Sequence, residues 1–193
     1  MPNKFENVFI ISGPSGAGED SVIEGLKGIL PIERVITTTT RYMRDGESQG
    51  NPYYFVANAE FIKLIVNDEF FEYAQEYNGN FYGVTLKELE RVSQSEKIGI
   101  WKIEYQGVIT AKKKIPGIIA ILINAPLDVL GARIRNRDNH VDEEFVKARM
   151  EYTKEWLKHK DIYDHEVINE EGKLDEAIKE TAEIINKYRV DKI

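Results

Sequence analysis

The chain has 193 residues, 42% hydrophobic and 31% charged, which suits one soluble globular domain with a real core and room for a small inserted lobe. Its formal net charge of −7 leaves no dominant basic face and argues against a dedicated nucleic-acid binder, although it does not exclude a local basic pocket. It contains no cysteine, so a disulfide framework and a thiolate metal site are both excluded.

The N-terminal stretch MPNKFENVF lacks the apolar centre of a signal peptide, and no run approaches the roughly 18 apolar residues of a membrane helix. The expectation is a cytoplasmic protein with no membrane partner. Short apolar runs then recur as NVFIIS, ERVIT, KIGIWKI, GIIAILI and HEVIN, with helical patterns between several of them. That alternation predicts an α/β fold with a mostly parallel sheet covered on both faces. From Ser21 to Leu30, the spacing of Val22, Ile23, Leu26 and Ile29 predicts the first helix.

From Arg41 to about Tyr82 the alternation breaks. YYFV, EFFEYAQEY and NGNFYG, separated by the helical NAEFIKLIVN, predict a small mixed β lobe inserted into the core. Pro126 opens a predicted helix, PLDVLGARIRNR, and the irregular RNRDNHVD after it is a candidate mobile lid. Asp142 to Lys160 reads as a long charged helix. Lys173 to Tyr188 is amphipathic, with Leu174, Ala177, Ile178, Ile184 and Ile185 near one face. His140, His159 and His165 show no ligand spacing and read as surface histidines.

The stretch FIISGPSGAGEDSVIEGL begins as a phosphate-binding loop does: a strand, a glycine-rich turn, then a helix. Glycines 13, 16 and 18 let the backbone turn sharply and point N–H groups inward, and the following helix adds its positive end. The same turn also occurs for packing alone. The consensus then requires Lys and Ser or Thr, where this chain has Glu19 and Asp20. At about 4 Å and an effective dielectric near 20, one charge pair is worth roughly 4 kcal/mol, so reversal costs up to roughly 8 kcal/mol if nothing compensates. Three outcomes follow: Glu19 turns away, a cation intervenes, or no triphosphate binds. Asp20 is a hard oxygen donor that a divalent ion accepts, and Ser21 still carries a hydroxyl.

Several further motifs lie in order along the chain. TTTTRYMRDGESQGNPYYF, EFFEYAQEYNGNFYG, KIEYQG, RIRNR and HEVINEE, together with GPSGAG, resemble the guanylate kinase family over essentially the whole length. The resemblance implies a P-loop three-layer α/β/α core with a parallel sheet, about residues 1–36 and 96–193. It also implies a GMP-binding β lobe at about 37–95 and a helical lid at about 133–149. It implies ATP- and Mg²⁺-dependent phosphorylation of GMP by a monomer or homodimer.

Carried over residue by residue, the resemblance places ATP phosphates on Gly13, Ser15, Gly16, Ala17, Gly18, Glu19, Asp20 and Ser21, with Asp20 as the metal candidate. It places the GMP phosphate on Arg41, Arg44, Tyr53 and Tyr82, and guanine on Thr37, Glu72 and Glu104. Arg133, Arg137 and Arg149 become the arginines that close on the transferring group. The chemistry agrees: Arg41 and Arg44 suit a phosphate, and carboxylates accept from guanine N–H groups. Each residue also has a bland reading. The arginines then belong to solvated loops or helix faces, the tyrosines fill the lobe core, and Glu72 points to water.

Lys102 stands where the family has an acid, and Glu104 replaces an Asp. Val84 replaces the family's hydroxyl residue after Tyr-Gly. The Lys102 and Glu19 changes read as a coupled exchange, with Lys102 beside Glu19 or supplying the lost charge. Two rival functions are an impaired module that binds GMP or a protein partner, and a phosphotransferase with another donor or acceptor.

Overall fold

A computed structural model describes residues 5–75, 79–137 and 142–189, with the backbone alone at Arg137. In chain order the elements are β1 (Val8–Ser12), α1 (Glu19–Leu26), β2 (Ile32–Arg34), β3 (Thr37–Thr39), β4 (Tyr53–Phe55), α2 (Asn58–Val66), β5 (Phe70–Gln75), β6 (Phe81–Thr85) and α3 (Leu86–Gln94). There follow β7 (Ile98–Lys102), α4 (Tyr105–Lys114), β8 (Ile119–Asn124), α5 (Leu127–Arg137), α6 (Glu143–Leu157), β9 (His165–Ile168) and α7 (Leu174–Tyr188).

The main sheet is parallel throughout, in the order β2-β7-β1-β8-β9. All five residues of β1 are buried because helices cover both faces. Phe9 and Ile11 pack into a cluster with Val22, Ile23 and Leu26 of α1 and Ala177 and Ile185 of α7. Val8 and Ile10 enter the opposite cluster with Leu89 and Val92 of α3 and Val108 and Ala111 of α4. Four of the five strands fall on the predicted apolar runs, while β2 overlaps the run ERVIT only at Glu33 and Arg34. Helix α1 begins earlier and stops sooner than its periodicity suggests. Past Leu26 the chain tightens into i→i+3 turns at Lys27, Gly28 and Ile29, and Ile29 is exposed.

The second sheet is mixed, in the order β4-β3-β6-β5, with β3 parallel to β4 and antiparallel to β6. Phe61 of α2 fills its underside, stacked on Phe70 at 4.3 Å and Phe81 at 5.3 Å. Glu88 joins this sheet to the core. Its buried carboxylate accepts from the Ile36 amide at 2.8 Å, from the Arg91 guanidinium at 2.8 and 2.9 Å, and from the Tyr54 hydroxyl at 3.3 Å.

Candidate active site

The loop after β1 is held tightly from behind. A β-carbon on Gly13 would lie 2.3 Å from the Ile123 carbonyl oxygen, so only glycine lets the loop pass β8 this closely. Gly18 caps α1 with φ of 92°, in the left-handed region. Asn169, just after β9, donates from Nδ2 to the Ala17 carbonyl at 2.7 Å and fixes the turn. Within this turn Ala17 is fully buried, Ser15 and Gly16 are half-buried, and Ser21 is exposed at the first turn of α1.

Glu19 does not turn away from this loop. Its Cγ lies 3.1 Å from the position a Gly13 β-carbon would take, so the half-buried side chain folds back over the loop. The nearby backbone amides of Glu19 and Gly18 favour its ionised form. Burial pushes the carboxyl up to about 7, against the opposing pull of nearby Lys102.

The direct partner of Lys102 is Asp20 rather than Glu19. Lys102 Nζ lies 2.5 Å from Asp20 Oδ2, and Arg34 Nη2 lies 2.8 Å from Asp20 Oδ1. Burial opposes ionisation of Asp20, but Lys102 and then Arg34 outweigh it and hold the carboxyl below its usual range. Both oxygens of Asp20, the metal candidate, are thus engaged by side-chain cations. Among the described residues no group of three or more His, Asp or Glu side chains is arranged to hold a metal ion.

On the mixed sheet, Arg41, Tyr53 and Tyr82 come together. The Arg41 guanidinium lies over the Tyr53 and Phe55 rings at 5.3 and 5.4 Å, and Tyr53 meets Tyr82 edge-on at 6.0 Å. Glu47 organises the arginine loop. It accepts from Arg41 Nη2 at 2.8 Å and from the Arg44 amide at 2.8 Å, leaving the Arg44 side chain exposed. Thr37 pairs in register with Tyr53, and Glu72 stands on the next strand but one, opposite Val84. Burial pushes the Glu72 carboxyl up to about 7, against the pull of Lys114. Glu104, exposed at the N-cap of α4, accepts from the Tyr152 hydroxyl of α6 at 2.6 Å.

Arg133 reaches the loop itself, donating to the Gly16 carbonyl at 3.3 Å and the Glu170 carbonyl at 3.2 Å, and pairing with Glu171 at 3.1 Å. Arg135 instead clasps Glu143 at 2.9 and 3.2 Å, tying α5 to α6. The Arg149 guanidinium lies 5.2 Å over the Phe145 ring. The Arg137 side chain and residues 138–141 of the expected lid lie outside the described residues.

Sequence reading missed Arg34, Glu47, Tyr152 and Asn169. Asn169 had one legible signal, a polar residue at the carboxyl end of a predicted parallel strand, whereas Arg34 lay near the start of the run ERVIT and ends a strand only in the structure. Glu47 and Tyr152 had none, since their partners come from the fold.

A parallel sheet whose central strand runs through a glycine turn into a helix, beside a mixed sheet bearing clustered arginine and tyrosine, defines a P-loop phosphotransferase of the nucleoside monophosphate kinase type. The family model for guanylate kinase matches residues 6–188. Over 191 residues the chain is 34% identical to the guanylate kinase of Mycoplasmoides gallisepticum, covering 97% of this chain and 96% of that one. Over 182 residues it is 37% identical to that of Buchnera aphidicola subsp. Schizaphis graminum, covering 92% and 86%. The crystal structure of guanylate kinase from Anaplasma phagocytophilum superposes with a TM-score of 0.70 at 26% identity, covering 95% of this chain and 86% of that one. The chain belongs to the guanylate kinase family.

Proposed function

We propose that the protein transfers the terminal phosphoryl group of ATP to GMP, releasing ADP and GDP. A GMP phosphate oxygen attacks the γ-phosphorus, the bond to the β–γ bridging oxygen breaks, and its electron pair leaves with ADP. Such a transfer needs alignment and charge neutralisation rather than a protein nucleophile. The observation that carries the reading is the family match over residues 6–188, which spans both the loop and the arginine–tyrosine cluster.

ATP phosphates bind at Gly13, Ser15, Gly16, Ala17, Gly18, Glu19, Asp20 and Ser21, with Lys102 supplying the charge that Glu19 does not. Arg133, Arg137 and Arg149 close on the transferring group from the lid at about 133–149. Arg41, Arg44, Tyr53 and Tyr82 take the GMP phosphate in the lobe at about 37–95, and Thr37, Glu72 and Glu104 read guanine. Mg²⁺ enters bound to the phosphates of ATP. Closure of lobe and lid keeps water from the phosphoryl group. The proposed setting is purine nucleotide metabolism in the cytoplasm, as a monomer or homodimer without nucleic-acid or membrane partners. No described helix is long and apolar enough to cross a membrane.

The Glu19 carboxylate seated on the loop amides favours a second reading, an impaired module that keeps GMP but does not turn over. Family membership supports the kinase. A coupled assay with ATP, Mg²⁺ and a panel of nucleoside monophosphates separates the two. Turnover selective for GMP supports the kinase, GMP binding without turnover supports the module, and preference for another monophosphate overturns the guanine assignment.

A further inference from the structure

Arg34 and Lys102 end neighbouring strands of the main sheet. Arg34 is in register with Ile100 of β7, and Lys102 lies two residues further along that strand. Side chains two apart share a face, so Arg34 and Lys102 emerge on the same side of the sheet, the side covered by α1. Asp20, in the first turn of α1, meets both. Against Asp20 alone the two cations leave a surplus of positive charge beside the loop, which Glu19 offsets in part when it is ionised.

How that charge is shared decides what it does. A carboxylate paired with Lys102 alone would neutralise it and hold its ammonium in place. With Arg34 on the other oxygen, Asp20 keeps a partner when Lys102 leaves. A lysine ammonium on a flexible stem can exchange partners readily, whereas a guanidinium fixes a carboxylate through its planar donors. Arg34 contacts Asp20 through Nη2, while the Arg34 carbonyl accepts from Arg91 Nη2 at 3.2 Å, which anchors the strand end.

We propose that Arg34 is a positioning residue for the phosphoryl donor: it retains Asp20 so that Lys102 is free to move from that carboxylate onto the donor's phosphates. The inference rests on the reading above that Lys102 serves ATP. Arg34 touches no substrate; it acts through Asp20.

The test is steady-state kinetics on full-length Arg34→Met, Asp20→Asn, Arg34→Met/Asp20→Asn and Lys102→Met, with melting temperatures for each. Arg34→Met is expected to raise KM for ATP by about tenfold or more while KM for GMP stays within about twofold. Arg34→Lys recovers part of the loss. In the Asp20→Asn background, where no carboxylate holds Lys102, Arg34→Met changes KM for ATP by less than about threefold. An equal effect in both backgrounds overturns the proposal, because Arg34 would then act directly or through general stability. So does an unchanged KM for ATP, or a parallel rise in both KM values with a fall in melting temperature. If Arg34→Met does not fold, Arg34→Gln gives the same comparison. If Lys102→Met leaves KM for ATP unchanged, the Lys102 assignment fails and this inference falls with it. If Lys102→Met raises it and Arg34→Met does not, only the Arg34 inference fails.

Discussion

Lys102 Nζ lies 2.5 Å from Asp20 Oδ2, joining the last residue of β7 to the first turn of α1 across 82 positions of sequence. A cation from a neighbouring strand thus stands beside a loop that carries Glu19 and Asp20. Lys102→Asp would set a third carboxylate beside Glu19 and Asp20, at roughly 4 kcal/mol per contact pair, with Arg34 alone left to oppose them. The expected loss in kcat/KM for ATP is about a hundredfold or more. Adding Glu19→Lys to that variant is expected to recover about tenfold or more, measured as a double-mutant cycle; strictly additive losses would show that the two positions are uncoupled.

Glu72 gives a pH dependence of defined sign. Its carboxyl rises from 4.5 to about 7 on folding, chiefly through burial. Between those values the folded protein holds a proton that the unfolded chain has released, so this contribution to stability is complete below 4.5 and is lost as pH rises to 7. Solvent screening leaves the effect at about 2 kcal/mol. Glu72→Gln is therefore expected to gain stability over the parent at pH 8 and to match it at pH 5, read by thermal melts. Guanine needs the ionised acceptor, so KM for GMP should fall from pH 6 to pH 8 in the parent and stay flat and high in Glu72→Gln. A parent KM independent of pH would remove Glu72 from the guanine site.

Glu88 is the ionic strap between the two sheets. Removing a buried carboxylate leaves the Ile36 amide and the Arg91 guanidinium without it. Glu88→Ala is expected to cost about 3 kcal/mol, or roughly 6–12 °C in Tm for a domain of this size. A change within about 0.5 kcal/mol, the range of ordinary surface substitutions, would show that the strap contributes nothing.

Gly13→Ala tests whether the loop tolerates any β-carbon. The clash is with backbone, the Ile123 carbonyl at 2.3 Å in a central strand, which side-chain motion cannot relieve. The expected result is a loss of about 2 kcal/mol or more in stability and a sharp rise in KM for ATP. KM for GMP should change little, because the arginine–tyrosine cluster lies on the other sheet. Unchanged ATP kinetics would contradict the tight approach of loop to β8.

The main sheet was legible because its three inner strands are short and almost wholly apolar, with helical patterns between several of the runs. Parallel strands buried on both faces leave no other pattern. The mixed sheet was legible in its aromatic strands. Helix α3 was missed: LKELERVSQ is strongly charged, and its buried apolar residues, Leu89 and Val92, count only once a sheet lies beneath them. The loop was readable as a shape but not as a working charge distribution. Glu19 and Lys102 could be suspected of coupling, yet nothing in their spacing chose Asp20 as the partner or added Arg34.

The sequence by itself determined the strands of the main sheet, several of the helices, the glycine turn after β1 and the motifs of the family. These depend on local periodicity, on glycine's freedom at positive φ and on motifs written contiguously. Only the tertiary structure decided the electrostatics of the donor end. Adjacent parallel strands align Arg34 and Lys102 on one face, helix α1 brings Asp20 between them, and Glu19 folds onto the loop amides. Charge interactions depend on distance and burial, and both are set by packing among residues far apart in the chain.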